Sequence, residues 1–270
     1  MQVAKSENIS YTAGNDSIDA YLAYPDDAET HPGVVLIHEI FGLDDHTKKV
    51  ADMLAGEGYV VLAPHLFSSK KLSHVLSQQN ISAAMKFMMS IPVEKQRDEK
   101  YRAEALARLN EEEREVVSKV NQLLFVNRPT DMLTEYLSYG VEYLKSLKNV
   151  SGKIGSVGFC FGGGMSINLG CTGKTSACVI FYGEAPNPIE KIKNVNGHIM
   201  GLYGGEDHRI NSRLGDFVKA MVEYKKPFII RVFPGVHHAF FNDTRPQTYN
   251  KQAAEEAWRM LVEFFKANLY

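Results

Sequence analysis

The sequence predicts an α/β fold: a mostly parallel central sheet flanked by helices, with one helical insertion. Three observations predict it. Unbroken apolar runs, Gly33-Val-Val-Leu-Ile-His38 and Tyr59-Val-Val-Leu-Ala63, read as strands covered by helices on both faces. Amphipathic stretches alternate with such runs, and a strand–helix–strand rhythm implies parallel pairs joined by right-handed crossovers. The third is a glycine-rich turn, Gly158-Phe-Cys-Phe-Gly162, set between a strand pattern and a helix pattern.

Taken in order, residues 17–24 alternate apolar and polar, as a half-exposed strand near a sheet edge does. Residues 25–32 form a polar turn. The strand at 33–38 is followed by Glu39-Ile-Phe-Gly42 at its carboxyl end. Residues 46–57 carry Val50, Met53 and Leu54 at helical spacing and stop at Gly58; the strand at 59–63 stops at Pro64. From 68 to 128 no strand pattern occurs. Residues 81–91 read as one helix ending before Pro92. Residues 94–127 read as one long amphipathic helix with Tyr101, Ala105, Leu109, Val116, Val120 and Leu123 on its stripe. Such a segment packs on the core as a surface helix, caps the strand ends as a lid, or pairs with a second subunit. Residues 130–147 form another amphipathic helix, with Leu133, Leu137, Val141 and Leu144 on one side. A strand at 153–158 leads into the glycine-rich turn, and a helix starts near Gly163. Strands follow at 176–182, 198–203 and 228–233, with helices at 211–224 and 247–267. The whole, residues 1–270, reads as a single domain carrying the insertion 68–128.

Composition narrows the class. Of 270 residues, 44% are hydrophobic and 23% charged, enough apolar material for a sizeable core. A net charge of −2 gives no electrostatic case for nucleic acid or an anionic membrane. Three cysteines form no closed disulfide set and no Cys-x-x-Cys pair, which favours a reducing compartment. The opening Met-Gln-Val-Ala-Lys-Ser-Glu-Asn lacks a signal-peptide layout, and no apolar run approaches the roughly 20 residues that span a bilayer. The expectation is a soluble, cytoplasmic protein, monomer or homodimer.

Chemistry concentrates at the strand ends. A strand-to-helix turn as tight as Gly158–Gly162 brings backbones almost into contact, so a Cβ at either glycine collides. Cys160 is then held at the carboxyl end of a strand, above a helix N-terminus that favours a thiolate and offers N–H groups to a developing oxyanion. A small core residue in a glycine-rich turn would give the same spacing. However, an open parallel sheet binds ligands at the carboxyl ends of its strands, and Glu39, Cys160, Asp207 and His238 all fall there. A thiol needs a base near neutral pH, imidazole is suited to that, and the imidazole needs a carboxylate to fix its tautomer. Their co-occurrence, each after its own strand, favours catalysis. The residues alone leave both His237 and His238 able to head the last loop. Cys171 and Cys178 read as small buried residues and His38 as strand-end structure. Nothing has metal-ligand spacing, and no cofactor is expected.

Five stretches carry a family resemblance: Val34-Val-Leu-Ile-His-Glu-Ile-Phe-Gly-Leu43, Gly58-Tyr-Val-Val-Leu-Ala-Pro64, Gly158-Phe-Cys-Phe-Gly-Gly163, Gly204-Gly-Glu-Asp207 and His238-Ala-Phe-Phe241. With them the chain resembles the dienelactone hydrolase (carboxymethylenebutenolidase-like) family of α/β-hydrolases, whose chain order is also nucleophile, acid, histidine. The resemblance implies Cys160 as nucleophile, Asp207 and His238 completing a triad, Glu39 interacting with the thiol, and backbone N–H groups of Ile40 and Phe161 as oxyanion donors. It selects His238 over His237, which stands where relatives carry glycine. The family's carboxylate-binding arginine is replaced by Asn242, with Arg245 nearby but out of register. His65 stands where relatives carry aspartate. His65, His237, Phe240 and Arg245 are candidates for the substrate pocket.

A cysteine nucleophile limits the substrate. The tetrahedral intermediate expels the better leaving group, and a thiol of pKa about 8.5 leaves before an alkoxide. Enol lactones, aryl esters and thioesters offer leaving groups stable enough to compete. The expected activity is hydrolysis of a small activated ester or lactone through a thioester, with acyl-thioester hydrolysis as an alternative. A redox-responsive thiol and a non-catalytic binding module are the rivals from other classes.

Overall fold

The computed structural model describes residues 4–95 and 98–270. The chain opens with β1 (Ala4–Ala13), β2 (Asp16–Pro25) and β3 (His31–Ile37), then α1 (Asp45–Gly56) and β4 (Val60–Pro64). The helices α2 (Gln78–Ser90), α3 (Glu99–Ala107) and α4 (Glu111–Asn121) follow, ending in a π-helical turn, Gln122–Val126. Next come α5 (Thr130–Ser146), β5 (Val150–Phe159), α6 (Phe161–Gly170), β6 (Ala177–Phe181) and β7 (His198–Gly204). Two short helices, α7 (His208–Asn211) and α8 (Leu214–Glu223), precede β8 (Phe228–Phe233) and the last helix, α9 (Lys251–Leu269).

The eight strands form one sheet in the order β1-β2-β4-β3-β5-β6-β7-β8. Pairing is antiparallel for β1–β2 and β2–β4 and parallel from β4 through β8. The central strands β3, β4 and β6 are buried along their whole length, which is why they read as unbroken apolar runs. From β3 the chain steps to β4 on one side, then returns to β5 on the other. That reversal opens a crevice at the carboxyl ends of β3 and β5, where Glu39 and Cys160 follow their strands.

By its contacts the chain falls into two compact units. One runs through Leu66 and resumes at Thr130; it holds the sheet. The other, Phe67–Pro129, is helical. Within it the single long helix expected over 94–127 is instead α3 and α4, and two residues of that span, Gln96 and Arg97, lie outside the described ones. The break has a local cause. The Asn110 side chain accepts from the Glu113 backbone N–H at 2.9 Å and so caps a new helix. The buried stripe there is Val117, Val120 and Leu124. The helix expected at 211–224 is likewise two pieces, α7 capped by Asp207, then α8. Among the described residues no helix is long and apolar enough to cross a membrane.

The turn between β5 and α6 is as crowded as its glycines imply. A Cβ on Gly158 would lie 2.0 Å from the Gly162 carbonyl oxygen, and one on Gly162 would lie 2.2 Å from that of Ile37 on β3. Both neighbours are backbone, so neither can move aside cheaply. Gly158→Ala or Gly162→Ala is therefore expected to lower stability by more than about 3 kcal/mol. Gly215→Ala, in α8 with nothing within 4 Å of the added carbon, is the control. It is expected to be neutral or up to about 1 kcal/mol stabilising, measured by urea denaturation.

Candidate active site

Cys160 is the single residue between β5 and α6. Its backbone sits at φ 55°, ψ −113°, in the left-handed half of the map that non-glycine residues avoid. Two backbone bonds hold it there: its N–H donates to the Phe181 carbonyl at 3.0 Å, and its own carbonyl accepts from Gly164 N–H at 3.2 Å. The half-buried side chain makes no helix-capping bond, so the thiol is not consumed by α6. Strain at a residue so firmly held is a signature of a functional position.

Two later loops approach the same strand end. Asp207 caps α7, its Oδ1 accepting from the Ile210 N–H at 3.4 Å, while Oδ2 accepts a short hydrogen bond from Nδ1 of His238. The loops are tied by Gly205 N–H to the Phe233 carbonyl at 2.8 Å and Glu206 N–H to that of Val236 at 2.9 Å. With Nδ1 committed to Asp207, Nε2 is the ring nitrogen left for Cys160, to which His238 is electrostatically coupled. Burial favours the neutral imidazole. Charge on Cys160 and hydrogen bonds to Asp207 and Cys160 outweigh it and push the His238 pKa up to about 10. His237 is exposed and stands apart from this arrangement. The left-handed positions of its loop are Gly235, φ 72°, and Ala239, φ 62°, so the side chain at 237 brings no backbone strain.

Glu39 is buried and surrounded by donors. Its Oε2 accepts from Asn242 Nδ2 at 3.0 Å and pairs with Arg245 Nη2 at 3.2 Å; its Oε1 accepts from the Tyr182 hydroxyl at 3.5 Å. Asn242 is oriented by Thr244, whose hydroxyl and backbone N–H both donate to Asn242 Oδ1, at 2.6 and 3.0 Å. The Arg245 guanidinium lies over the Phe41 ring, 4.3 Å from its centre. Tyr182 joins the two halves of the site. Its ring meets His238 edge-on at 4.9 Å. Burial, then the charges of Glu39 and Cys160, drive its phenol well above the ordinary value, so it stays a donor.

The remaining candidates divide. Ile40 directly follows Glu39 and is buried; Phe161 is the first residue of α6. His38 donates from Nδ1 to the Glu39 carbonyl and accepts at Nε2 from Leu66 N–H at 3.2 Å, which fixes one neutral tautomer and pins the ends of β3 and β4 together. Burial lowers its pKa to about 4. His65 lies in a polar cleft of about 440 Å³ with Lys48, Asp19 and Ser10, its ring 6.0 Å from that of His38. Phe240 is fully buried against Phe181, Tyr182 and Phe233, and so supports the His238 loop from within the core. Burial pushes the thiols of Cys171 and Cys178 up to about 12 and about 11. Among the described residues no cluster of three or more His, Cys, Asp or Glu is arranged to hold a metal ion. Sequence reasoning passed over Tyr182 as the end of a strand. Its place at the carboxyl end of β6, the strand beside β5, is the signal that could have singled it out.

Known proteins resemble the chain over nearly its whole length. The model of the dienelactone hydrolase family matches residues 18–269. A protein of Saccharolobus solfataricus, provisionally named a carboxymethylenebutenolidase, is 37% identical over 262 residues, covering 96% of this chain and 98% of its own. The crystal structure of a provisionally assigned dienelactone hydrolase from Klebsiella pneumoniae superposes with a TM-score of 0.74 at 21% identity, covering 98% of this chain and 99% of that one. A dienelactone hydrolase-like promiscuous phosphotriesterase from metagenomic libraries gives the same TM-score at 17% identity, over 99% of each chain.

Two outcomes follow from the geometry. His238 titrates higher when folded than when unfolded, so the stability it contributes is complete below its unfolded pKa of 6.5 and is lost as pH rises through about 10. In an NMR titration the wild-type ring is expected to remain protonated at about pH 8, and in Cys160→Ser to lose its proton at a lower pH. Identical titrations would show that Cys160 is not the source of the shift. Asn242→Ala, which strips one donor from a buried carboxylate, is expected to cost about 1–3 kcal/mol in urea denaturation.

Proposed function

The chain belongs to the dienelactone hydrolase family and is a carboxylic ester hydrolase, and on that premise we propose that it cleaves small activated esters or lactones through a Cys160–His238–Asp207 triad. The reading is supported by His238 hydrogen-bonded to Asp207 and electrostatically coupled to Cys160, near the crevice where the strand order reverses. In the proposed reaction the Cys160 proton already rests on His238 Nε2, as the raised pKa of the ring favours, and the thiolate sulfur attacks the substrate carbonyl carbon. The oxyanion forms against the N–H groups of Ile40 and Phe161, where the N-terminus of α6 adds its partial positive charge. Collapse breaks the bond to the leaving oxygen or sulfur, which takes the proton from His238, and leaves a Cys160 thioester. Water, deprotonated by His238, then attacks the thioester; the carboxylic acid departs and the thiol is restored.

Asp207 holds the Nδ1–H tautomer and balances the imidazolium charge. Glu39 acts as a modulator of the thiol. Its bonds to Tyr182, Asn242 and Arg245 keep it in place. Arg245, His65 and His237 are the proposed polar contributors to the substrate pocket. Because sulfur is a good leaving group, acylation goes forward only when the other leaving group is comparably stable. Aryl esters, enol lactones and acyl thioesters therefore define the substrate class.

A leaving-group series tests this. Wild type is expected to hydrolyse p-nitrophenyl acetate and acyl thioesters with kcat/KM at least about a hundredfold above that for ethyl acetate. Cys160→Ala is expected to lose at least about a thousandfold on the aryl ester, and Asp207→Asn a hundredfold to ten-thousandfold. Undiminished turnover by Cys160→Ala, or indifference to the leaving group, would overturn the proposal.

A further inference from the structure

Away from the catalytic elbow, a cleft of about 350 Å³ lies between α1 and α9, closed at one end by the segment that follows His238. That volume suits a one- or two-ring ligand. Its walls are aromatic and apolar: Met53 on α1, Phe241 and Tyr249 on the segment, and Trp258 on α9. Its polar groups are unevenly satisfied. Lys49 is neutralised by Asp243, with which it forms a short ion pair, and Glu255 has Lys251 at 3.9 Å. Arg259 is exposed at the cleft and, among the described residues, forms no ion pair. Among the described residues, His46, buried in the wall, has no hydrogen bond of good geometry at either ring nitrogen; its Nδ1 is within ion-pair distance of Asp243 Oδ1, at 3.4 Å, and its Nε2 has no partner. Buried imidazoles almost always have a partner. A cleft with flat apolar walls, an uncommitted guanidinium and an unsatisfied imidazole is complementary to a ring bearing an anionic acceptor.

We propose that this cleft is a second binding site, distinct from the catalytic one, for a small aryl carboxylate. The ring packs on the face that Phe241 and Trp258, themselves in contact at 6.3 Å between ring centres, turn to the cleft, and the carboxylate takes the Arg259 guanidinium. The site adjoins the catalytic layer, since Phe241 stacks on Phe159 at 5.2 Å, one residue before Cys160.

Trp258 is the one tryptophan of the chain, so its fluorescence reports this cleft. The experiment titrates Cys160→Ala protein with phenylacetate and with phenylacetamide. Phenylacetate is expected to give a saturable change, with phenylacetamide binding at least about tenfold more weakly. Arg259→Glu is expected to weaken phenylacetate at least about fivefold and leave phenylacetamide unchanged. Wild type alkylated at Cys160 with iodoacetamide is expected to titrate as the unmodified protein does. No saturable change, equal binding of acid and amide, indifference to Arg259→Glu, or loss of binding on alkylation would each overturn the proposal. None of these readouts requires turnover, so the hydrolase reading stands or falls separately.

Discussion

Gly162 has no room for a side chain because the Ile37 carbonyl of β3 is already there, and Gly158 has none because Gly162 is. This contact of backbone on backbone is the constraint from which the site follows. It draws α6 against the sheet and leaves the one residue between strand and helix no ordinary conformation. Cys160 takes the left-handed one, secured by the Phe181 carbonyl of β6 on one side and Gly164 on the other. Three adjacent strands thus position one sulfur. The strain is affordable only because the parallel core around it is buried and continuous.

Electrostatics then distinguishes two buried carboxylates. Asp207 meets an imidazole; Glu39 meets a guanidinium, an amide and a phenol. A buried charge without such partners destabilises a fold by several kcal/mol, so each carboxylate requires its own set of donors. The two sets meet at Tyr182, which donates to Glu39 and packs on His238. His38, directly before Glu39 in sequence, takes no charge. Burial keeps it neutral, and both of its nitrogens are committed to backbone.

What the sequence made legible was whatever has a local signature. The apolar runs of β3, β4 and β6 named themselves, as did the stripe of α5, where Leu133, Leu137, Val141 and Leu144 are all buried. The elbow was legible because its glycines answer to sterics, and the order Cys160, Asp207, His238 because each follows a strand. β1 was not: its first half is Lys-Ser-Glu-Asn on an exposed edge, where pairing rather than burial makes the strand. The division of α3 from α4 turned on one capping asparagine inside an otherwise helical pattern. Most of the Glu39 surroundings were hidden too. Asn242 and Arg245 were noted as departures from a family pattern, yet only the folded loop shows both reaching the same carboxylate. Long-range pairing of that kind leaves no periodicity to read.

The claim at the centre is that a sulfur, fixed by strain at the end of β5, becomes acylated during turnover. Rapid-quench mass spectrometry of the wild-type protein turning over p-nitrophenyl acetate addresses it directly. The account predicts one acetyl group on the peptide that carries Cys160, forming and decaying at rates that sustain the steady state. Acetylation at another residue, or steady turnover with Cys160 never acylated, would contradict it.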